Sequence, residues 1–390
     1  MNNYAEEALG LHKENRGKLA VVSKVPLATR ADLSRAYTPG VAAPCLEIAR
    51  DKELAYEYTS KGNMIAVVTD GSAVLGLGNI GPEAALPVME GKAILFKEFA
   101  GVDAVPICLA TQDVDEIVET VRRIAPGFGG INLEDISAPR CFEIEERLQD
   151  LGIPVFHDDQ HGTAIVVLAA LMNASRVVGK SMRSLRVVLS GAGAAGTAIT
   201  QLLQCMGKEH GICISVADVV VCDSKGIIHE GRVDLNEEKR RIAESTNHDN
   251  RSGTLADAMV GADVFIGVSA AGLVTQEMVR SMAPNAIVFA MANPTPEIMP
   301  DEARAAGAAV VASGRSDFPN QVNNVLAFPG IFKGALAIRA PRITNEMQLI
   351  TAQTLAQMVE NPTADCILPD PLNKNIATAI ADAIAKHCAD

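Results

Sequence analysis

Short apolar runs recur along the chain, and longer stretches with helical spacing separate them. This alternation is typical of parallel sheets with helical crossovers. In the first part of the chain the predicted strands are Met64–Thr69, Val102–Leu109, Gly130–Leu133 and Pro154–Phe156, and the predicted helices are Ala84–Phe99, Asp113–Ile124 and Arg140–Leu151. Residues 1–60 predict mostly helix and loop. The pattern therefore predicts an N-terminal α/β domain.

A long apolar helix over His161–Val178 is predicted to lead into a second domain. The strands predicted after it are Leu185–Leu189, Asp218–Cys222, Asp263–Gly267, Ala286–Ala290 and Ala309–Ala312, with helices such as Ala194–Met206 and Thr254–Val260 between them. Five short buried strands with helical crossovers are typical of a doubly wound, Rossmann-type parallel sheet. Helices are also predicted over Thr344–Glu360 and Asn373–Lys386. We expect domains at residues 1–160 and 161–390.

A glycine-rich turn, G-A-G-A-A-G at residues 191–196, follows the first strand of the second domain and opens a helix. In this setting the first glycine permits a tight turn, the second lets a pyrophosphate approach the backbone, and the third lets the helix pack closely on the strand. The helix N-terminus offers unpaired N–H groups to the phosphate. The predicted dinucleotide-binding residues are Gly191, Gly193, Ala194, Ala195 and Gly196.

Asp223 ends the next predicted strand, where a carboxylate can accept hydrogen bonds from ribose hydroxyl groups. The distance along the chain from the glycine turn exceeds the usual ~20 residues, and residues 207–217 look like an insertion. A carboxylate repels a 2′-phosphate, so Asp223 favours NAD. Lys225, two residues further on, leaves NADP open.

Two acidic clusters follow predicted strands of the first domain. Glu134 and Asp135 end one strand, and both can reach one ion only if the chain turns there, because neighbours within a strand point to opposite faces. Asp158 and Asp159 follow the next strand. Carboxylate oxygens suit Mg²⁺ or Mn²⁺. The sequence thus predicts an all-oxygen metal site formed by Glu134, Asp135 and one member of the second pair.

The second cluster has two alternative interpretations. Asp158 or Asp159 could simply cap a helix that begins near His161. His157 and His161 have the i, i+4 spacing of zinc ligands, but that spacing counts only if both lie on one helix, and His157 precedes the predicted one.

Four further residues have chemistry of interest. Lys92 lies beside a glycine on a largely apolar helix, where burial would lower the pKa of its amine and allow it to act as a base; a snorkelling or salt-bridged lysine is the alternative. Tyr37 lies in a sharp Y-T-P-G turn, and its alternative role is to anchor that loop as a buried side chain. Asn293 and Asn324 follow late strands of the second domain, at the edge where open α/β sheets bind ligands.

Composition narrows the class of partner. The formal net charge of −13 argues against nucleic acid or an anionic membrane as a partner, and the absence of Trp argues against a base-stacking platform. The eight cysteines form no C-x-x-C pair, so we expect reduced thiols and a cytoplasmic location. The charge-free run 187–207 is long enough to cross a membrane, but the glycine turn explains it better.

These motifs occur in a fixed order over residues 36–332. They are Y-T-P-G at 37–40, G-K-A at 91–93, L-E-D at 133–135, D-D-Q-H-G-T at 158–163, the glycine turn at 191–196, A-N-P-T at 292–295 and N-N at 323–324. The ordered set resembles the malic enzymes, and the chain length resembles their short bacterial class.

The resemblance implies oxidative decarboxylation of (S)-malate to pyruvate and CO₂, with reduction of NAD(P)⁺ and a requirement for Mg²⁺ or Mn²⁺. Oxaloacetate is implied as a further substrate for decarboxylation. The implied assignments are Glu134, Asp135 and Asp159 as metal ligands, Lys92 as general base, Tyr37 as general acid, Asn293 and Asn324 as substrate ligands, and Asp158 as a residue that positions its neighbours. A homodimer or larger homo-oligomer is also implied, with the apolar N-terminal helices as the expected contact.

One motif departs from the longer members of the family. They carry D-G-E-R where this chain has D-G-S-A at 70–73, so Ala73 replaces an arginine that helps to hold a malate carboxylate. Three alternatives to a malic enzyme stay open. They are malolactic conversion of malate to lactate, a metal-independent amino-acid dehydrogenase, and a dinucleotide-binding protein with no activity.

Overall fold

The computed structural model describes residues 4–74, 76–204 and 215–388. Its strands are β1 (Met64–Thr69), β2 (Asp103–Cys108), β3 (Gly130–Leu133), β4 (Val155–His157), β5 (Arg186–Ser190), β6 (Asp218–Asp223), β7 (Gly226–Ile227), β8 (Val264–Gly267), β9 (Ile287–Ala290) and β10 (Val310–Ser313). Most of the predicted insertion at 207–217, and the predicted helix end at Met206, lie outside the described residues.

The helices alternate with these strands after a helical N-terminal segment. They are α1 (Tyr4–Asn15), α2 (Arg30–Ala36), α3 (Ala42–Arg50), α4 (Ala55–Tyr58), α5 (Pro82–Leu95), α6 (Val114–Ile124), α7 (Arg140–Leu148), α8 (Asp158–Val178), α9 (Ala194–Gln204), α10 (Glu237–Ser245), α11 (Leu255–Met259), α12 (Gln276–Arg280), α13 (Pro300–Ala305), α14 (Phe328–Ala337), α15 (Asn345–Gln357) and α16 (Ile376–Cys388). A π-helical turn, Phe96–Ala100, extends α5.

The strands form two sheets. One has the order β2-β1-β3-β4 and is parallel throughout; the other has the order β10-β9-β8-β5-β6-β7 and is parallel except for β7. Every residue of β8, β9 and β10 is buried, as expected for strands that helices cover on both faces. The predicted α/β fold class is confirmed. The sequence pattern missed β7 because two residues are too few to show a period.

Helix α8 links the two sheets. The largest apolar cluster includes Ile65 of β1, Val187 of β5 and most of the apolar side chains of α8, so the sheets share a core. By length and composition α8 could cross a membrane, but 67% of its most apolar window is buried inside the protein. This degree of burial is typical of a core helix.

The strand register brings two acidic segments together. Leu133, the last residue of β3, pairs with His157, the last residue of β4. The residues that follow these strands, Glu134 and Asp158, therefore lie next to each other at one edge of the first sheet. Because β3 and β4 are parallel, the topology alone places both predicted acidic clusters at the same edge.

Candidate active site

Three carboxylates converge where β3 and β4 end. One oxygen atom each of Glu134, Asp135 and Asp159 lie within 4.8 Å of one another. Asp135 has a φ of 53°, in the left-handed region, so the chain turns directly after Glu134. This is the turn that two neighbouring carboxylates need in order to reach a common ion.

Asp159 is held in this cluster by the backbone of the opposite loop. Its Oδ2 atom accepts the backbone N–H of Asp135 at 2.8 Å. Helix α8 begins at Asp158 and not near His161, so both aspartates lie inside its first turn. The capping interpretation is therefore wrong, because the carboxylates of these residues contact Lys92 and Asp135 while the helix start has no side-chain cap.

Lys92 lies against this cluster and is only 7% exposed. Its Nζ atom is 2.5 Å from Asp158 Oδ2 and 2.8 Å from Glu134 Oε1. Asn324 Nδ2, from the short 3₁₀ helix Asn324–Leu326 that precedes α14, also donates to Asp158 Oδ2 at 2.5 Å. Asp158 thus connects the lysine to the second domain, and the structure brings the predicted lysine, the metal-ligand candidates and one predicted asparagine together.

The predicted lowering of the Lys92 pKa is wrong for this structure. Burial does lower it, but the charges of Asp158 and Glu134 outweigh burial, so the pKa of Lys92 lies above its ordinary value. Burial also raises the pKa of Glu134 to about 7 and that of Asp158 to about 6, while the charge of Lys92 opposes both shifts. The salt-bridged alternative therefore describes this lysine correctly.

The donor set fits a hard divalent cation. Four carboxylates and one ammonium group meet in a buried volume, so negative charge is in excess. Burial raises the pKa of Asp159 as well, as expected where like charges crowd together out of water. A divalent cation would offset this excess, and the oxygen ligands are those that Mg²⁺ and Mn²⁺ prefer.

The zinc alternative gains no support from the two histidines. His161 Nε2 contacts Glu145 Oε2 at 2.9 Å, and neither ring nitrogen of His157 has a hydrogen-bond partner among the described residues. His157 ends β4 and precedes α8, so the two rings do not share one helix.

The loop that departs from the longer relatives, residues 70–73, is bound to the loop of metal-ligand candidates. The backbone N–H of Ala73 donates to the Asp135 carbonyl oxygen at 3.0 Å. Arg140 donates to Asp70 Oδ2 at 2.8 Å and to Ser72 Oγ at 2.9 Å. Arg140 therefore places a cation at this loop. The sequence pattern did not indicate this contact, because Arg140 is far along the chain from Asp70.

The glycine turn has no room for side chains at two of its positions. Gly191 has a φ of 117°, and a Cβ atom there would lie 2.7 Å from the Val268 carbonyl oxygen. A Cβ atom at Gly196 would lie 1.8 Å from the Gly191 carbonyl oxygen, so side chains are excluded at both positions. Apart from the chain neighbours of Gly193, no described residue has an atom within 4 Å of a Cβ atom built there, which leaves space beside the backbone at the start of α9.

Asp223 is already engaged by cations. Its two oxygens accept from Arg232 at 2.8 and 3.1 Å, and Oδ2 also accepts from Lys239 Nζ at 2.6 Å. Burial acts to raise the pKa of Asp223, but these hydrogen bonds outweigh burial and lower it to about 2. The sequence did not indicate Arg232 or Lys239, which offset the charge that was expected to select against a 2′-phosphate.

Asn293 lies on an exposed loop after β9 that a buried carboxylate holds in place. Glu297 is fully buried and accepts the backbone N–H groups of Ala292 at 3.0 Å and Ser269 at 2.9 Å. A Cβ atom at Gly267 would lie 2.4 Å from the Glu297 carboxylate carbon, so only glycine leaves room for it. Glu297 thus ties the loop after β8 to the loop that carries Asn293.

Tyr37 is a predicted catalytic residue that lies on the exposed N-terminal segment. It is 66% exposed, so the buried-anchor alternative is wrong, and its side chain makes no hydrogen bond with the described residues. The helices around it, α1 to α4, bury none of their residues. Within the described residues, neither Tyr37 nor Asn293 forms a hydrogen bond with Lys92, whose polar partners are Asp158 and Glu134.

Comparison with known proteins gives consistent matches. The model of the malic enzyme N-terminal domain matches residues 16–149, and that of the malic enzyme NAD binding domain matches residues 160–389. A bifunctional malic/malolactic enzyme of Bacillus subtilis is 61% identical over 98% of this chain and 92% of its own length. An NAD-dependent malic enzyme of Geobacillus stearothermophilus is 54% identical over 95% of this chain and 76% of its own length.

A solved structure agrees with these matches. The crystal structure of an NAD-dependent malic enzyme from Thermotoga maritima superposes with a TM-score of 0.92 at 47% identity, over 97% of this chain and 98% of that one. Two family models together cover most of the chain, and the relatives are far above the identity at which only a fold is shared. The chain belongs to the malic enzyme family.

Proposed function

We propose that this chain catalyses the oxidative decarboxylation of (S)-malate to pyruvate and CO₂, with reduction of NAD⁺ or NADP⁺ and a requirement for Mg²⁺ or Mn²⁺. The observation that carries the proposal is the convergence of Lys92 with three carboxylates that fit a divalent cation. The contact of Asn324 with Asp158 brings the second domain, which carries the glycine turn, to the same place.

Each group has a role in this proposal. Glu134, Asp135 and Asp159 would hold the cation, which when bound would act as a Lewis acid toward the substrate oxygen atoms. Lys92 accepts the proton of the C2 hydroxyl while hydride leaves C2 for the nicotinamide. A cation held by the carboxylates would offset the negative charge that raises the pKa of Lys92, which favours the neutral amine that this step needs. Asp158 keeps the lysine in place through its hydrogen bond.

Oxidation of malate at C2 produces oxaloacetate, a β-keto acid. The bond between C3 and C4 then breaks, CO₂ leaves, and the electron pair moves toward the C2 oxygen. C3 afterwards takes up a proton, for which the family resemblance assigns Tyr37. The same residues would decarboxylate added oxaloacetate without oxidation.

We also propose that the chain acts as a homodimer with the N-terminal segment, residues 4–50, in the contact. Large apolar side chains are exposed along this segment, among them Leu9 at 73%, Val22 at 78% and Leu27 at 64%. Apolar surface of this extent is usually covered by a partner. A second copy would cover the segment and would enclose Tyr37, which otherwise lies in solvent.

Subunit mixing tests this arrangement. Light scattering should give twice the chain mass. If Tyr37 of one copy completes the active site of the other, inactive Y37F and K92A variants should regain activity when they are mixed and allowed to exchange subunits. A mixed dimer then contains one site that has both Lys92 and Tyr37. A monomeric protein with full activity would contradict the homodimer.

The domain boundary and the cellular location are two further proposals. We propose a domain boundary near residue 160, beside the start of α8 at Asp158. We propose a cytoplasmic location, in keeping with free thiols at all six cysteines of the described residues.

A direct assay tests the main function. Purified protein is incubated with (S)-malate and each coenzyme, with and without Mn²⁺, while coenzyme reduction and pyruvate are measured. We expect equal amounts of pyruvate and reduced coenzyme, loss of both with a chelator, and recovery with Mn²⁺. Chelator-resistant turnover, or oxidation of an amino acid in place of malate, would contradict the proposal.

Malolactic conversion is a second candidate, because the Bacillus subtilis relative is described as both malic and malolactic. This reaction would retain the reduced coenzyme, return its hydride to pyruvate and release lactate. Lactate formed without net coenzyme reduction would identify it, whereas accumulation of reduced coenzyme with pyruvate identifies the oxidative reaction.

A further inference from the structure

A buried carboxylate on α7 contacts the segment that carries two of the acidic site residues. Glu145 is 9% exposed. Its Oε1 atom accepts the backbone N–H of His157 at 3.2 Å, and its Oε2 atom accepts from Gln160 Nε2 at 3.2 Å and from His161 Nε2 at 2.9 Å. All three donors belong to the last residue of β4 and the first turn of α8.

Helix α8 lacks a cap of its own. His157 occupies the N-cap position and forms no side-chain cap hydrogen bond. Unpaired N–H groups and a partial positive charge at a helix start are stabilised by a nearby anion. Glu145 supplies that anion from a different helix, so the start of α8 is fixed to α7 by a side chain that is not part of α8.

Contacts on two sides hold this turn of α8. On one side Asp158 contacts Lys92, and Asp159 accepts the backbone N–H of Asp135. On the other side the next two residues of the turn contact Glu145. Because all four side chains share a single helical turn, a shift on the Glu145 side moves the two aspartates as well.

The electrostatics agree with a charged carboxylate at this position. Burial acts to raise the pKa of Glu145, but the neighbouring His161 and the donated hydrogen bonds outweigh it, so the pKa lies below the ordinary value. A charged acceptor forms stronger hydrogen bonds than a neutral one. The network is therefore suited to hold the turn in one position.

We propose that Glu145 is a positioning residue for the metal site: it fixes the first turn of α8 so that Asp159 meets Glu134 and Asp135 around one cation. The inference rests on the proposed function, since it requires that these three carboxylates bind a divalent metal. Residues that orient metal ligands typically contribute about 10–100-fold in metal affinity.

The test compares Mn²⁺ binding in three variants of the full chain, with free Mn²⁺ measured by electron paramagnetic resonance. E145Q keeps the size of the side chain but removes the charged acceptor. E146Q is the matched control, because it removes the same charge from the exposed neighbour of Glu145 on α7. We expect the Kd for Mn²⁺ to rise about 10–100-fold in E145Q and to stay near that of the unaltered chain in E146Q.

A third variant separates positioning from a simple charge effect. His161→Phe keeps the ring against Phe156, whose centroid lies 5.4 Å away, but removes the hydrogen bond to Glu145. Loss of a positive charge near the site would leave Mn²⁺ binding equal or tighter, whereas loss of positioning weakens it. This variant also decides the question if E145Q does not fold.

Activity and coenzyme binding complete the experiment. In E145Q the Mn²⁺ concentration for half-maximal rate should rise, kcat at saturating Mn²⁺ should recover, and the Kd for the coenzyme should not change. A folded E145Q or H161F protein with unaltered Mn²⁺ affinity would overturn the proposal. Failure of the unaltered chain to bind Mn²⁺ would instead refute the metal site itself, and the inference with it.

Discussion

Replacing Lys92 with Met tests the buried charge cluster, because Met has a similar length and no charge. Lys92 Nζ lies 2.5 Å from Asp158 and 2.8 Å from Glu134, and all three side chains are nearly inaccessible to solvent. The variant leaves both carboxylates buried without their cation. Removal of one partner from a buried ion pair costs roughly 3–5 kcal/mol, so we expect a loss of stability of this size without metal.

Lys97 provides a matched control only five residues further along. Its Nζ atom lies 2.7 Å from Asp103 Oδ1, but its side chain is 56% exposed. An exposed pair contributes about 0–1 kcal/mol. The K97M variant should therefore lose little stability, although it removes the same charge from a pair of similar length.

Divalent metal should separate the two variants further. A cation bound by Glu134, Asp135 and Asp159 would offset the charge that K92M leaves uncompensated. A ligand that binds only the folded state raises stability in proportion to its affinity and concentration. We expect Mn²⁺ to stabilise K92M more than the unaltered chain, and K97M no more than the unaltered chain.

Thermal and urea unfolding with and without Mn²⁺ measure these differences, and steady-state kinetics measure the chemical role. If Lys92 is the group that takes the substrate proton, its loss should lower kcat by ~10²–10⁴, while the glycine turn of the second domain should keep its affinity for the coenzyme. A K92M protein with unaltered stability in a chelator would refute the buried ion pair. One that keeps most of its turnover would remove Lys92 from the mechanism.

Three further predictions follow from individual contacts. E134Q should weaken Mn²⁺ binding and leave the circular dichroism spectrum unchanged; unaltered affinity in a titration would contradict its role as a ligand. K239A removes a cation that offsets the charge of Asp223, so the carboxylate should repel a 2′-phosphate more strongly. We expect kcat/KM with NADP⁺ to fall relative to NAD⁺ by about tenfold, near 1.4 kcal/mol; an equal effect on both coenzymes would exclude Lys239 from coenzyme choice. E297Q turns an acceptor of two backbone N–H groups partly into a donor, which costs about 1–3 kcal/mol, and the displaced Asn293 loop should raise the KM for malate; an unchanged KM would show that the loop does not depend on this carboxylate.

Local features of the fold were readable from the sequence. Apolar runs gave the strands, and the glycine spacing gave the turn before α9 because steric exclusion at Gly191 and Gly196 is a local property. Glu134 and Asp135 can reach one ion only if the chain turns at this point, and the positive φ of Asp135 provides that turn.

The errors concern partners that are distant in sequence. The pKa of Lys92 has the opposite direction from that expected, because Asp158 lies 66 positions away and its charge outweighs burial. The sequence pattern predicts that this helix begins near His161, but it begins at Asp158. The capping interpretation did not include Glu145, which contacts this turn from a different helix. Periodicity reports which residues are buried but does not report which charged groups meet.

The most direct test of the metal site is a crystal of the protein grown or soaked with Mn²⁺ and examined by anomalous scattering at the manganese edge. We expect one strong peak bounded by oxygen atoms of Glu134, Asp135 and Asp159, beside the Lys92 ammonium group. A map with no peak between these carboxylates at saturating Mn²⁺, or with the only strong peak elsewhere on the chain, would contradict it.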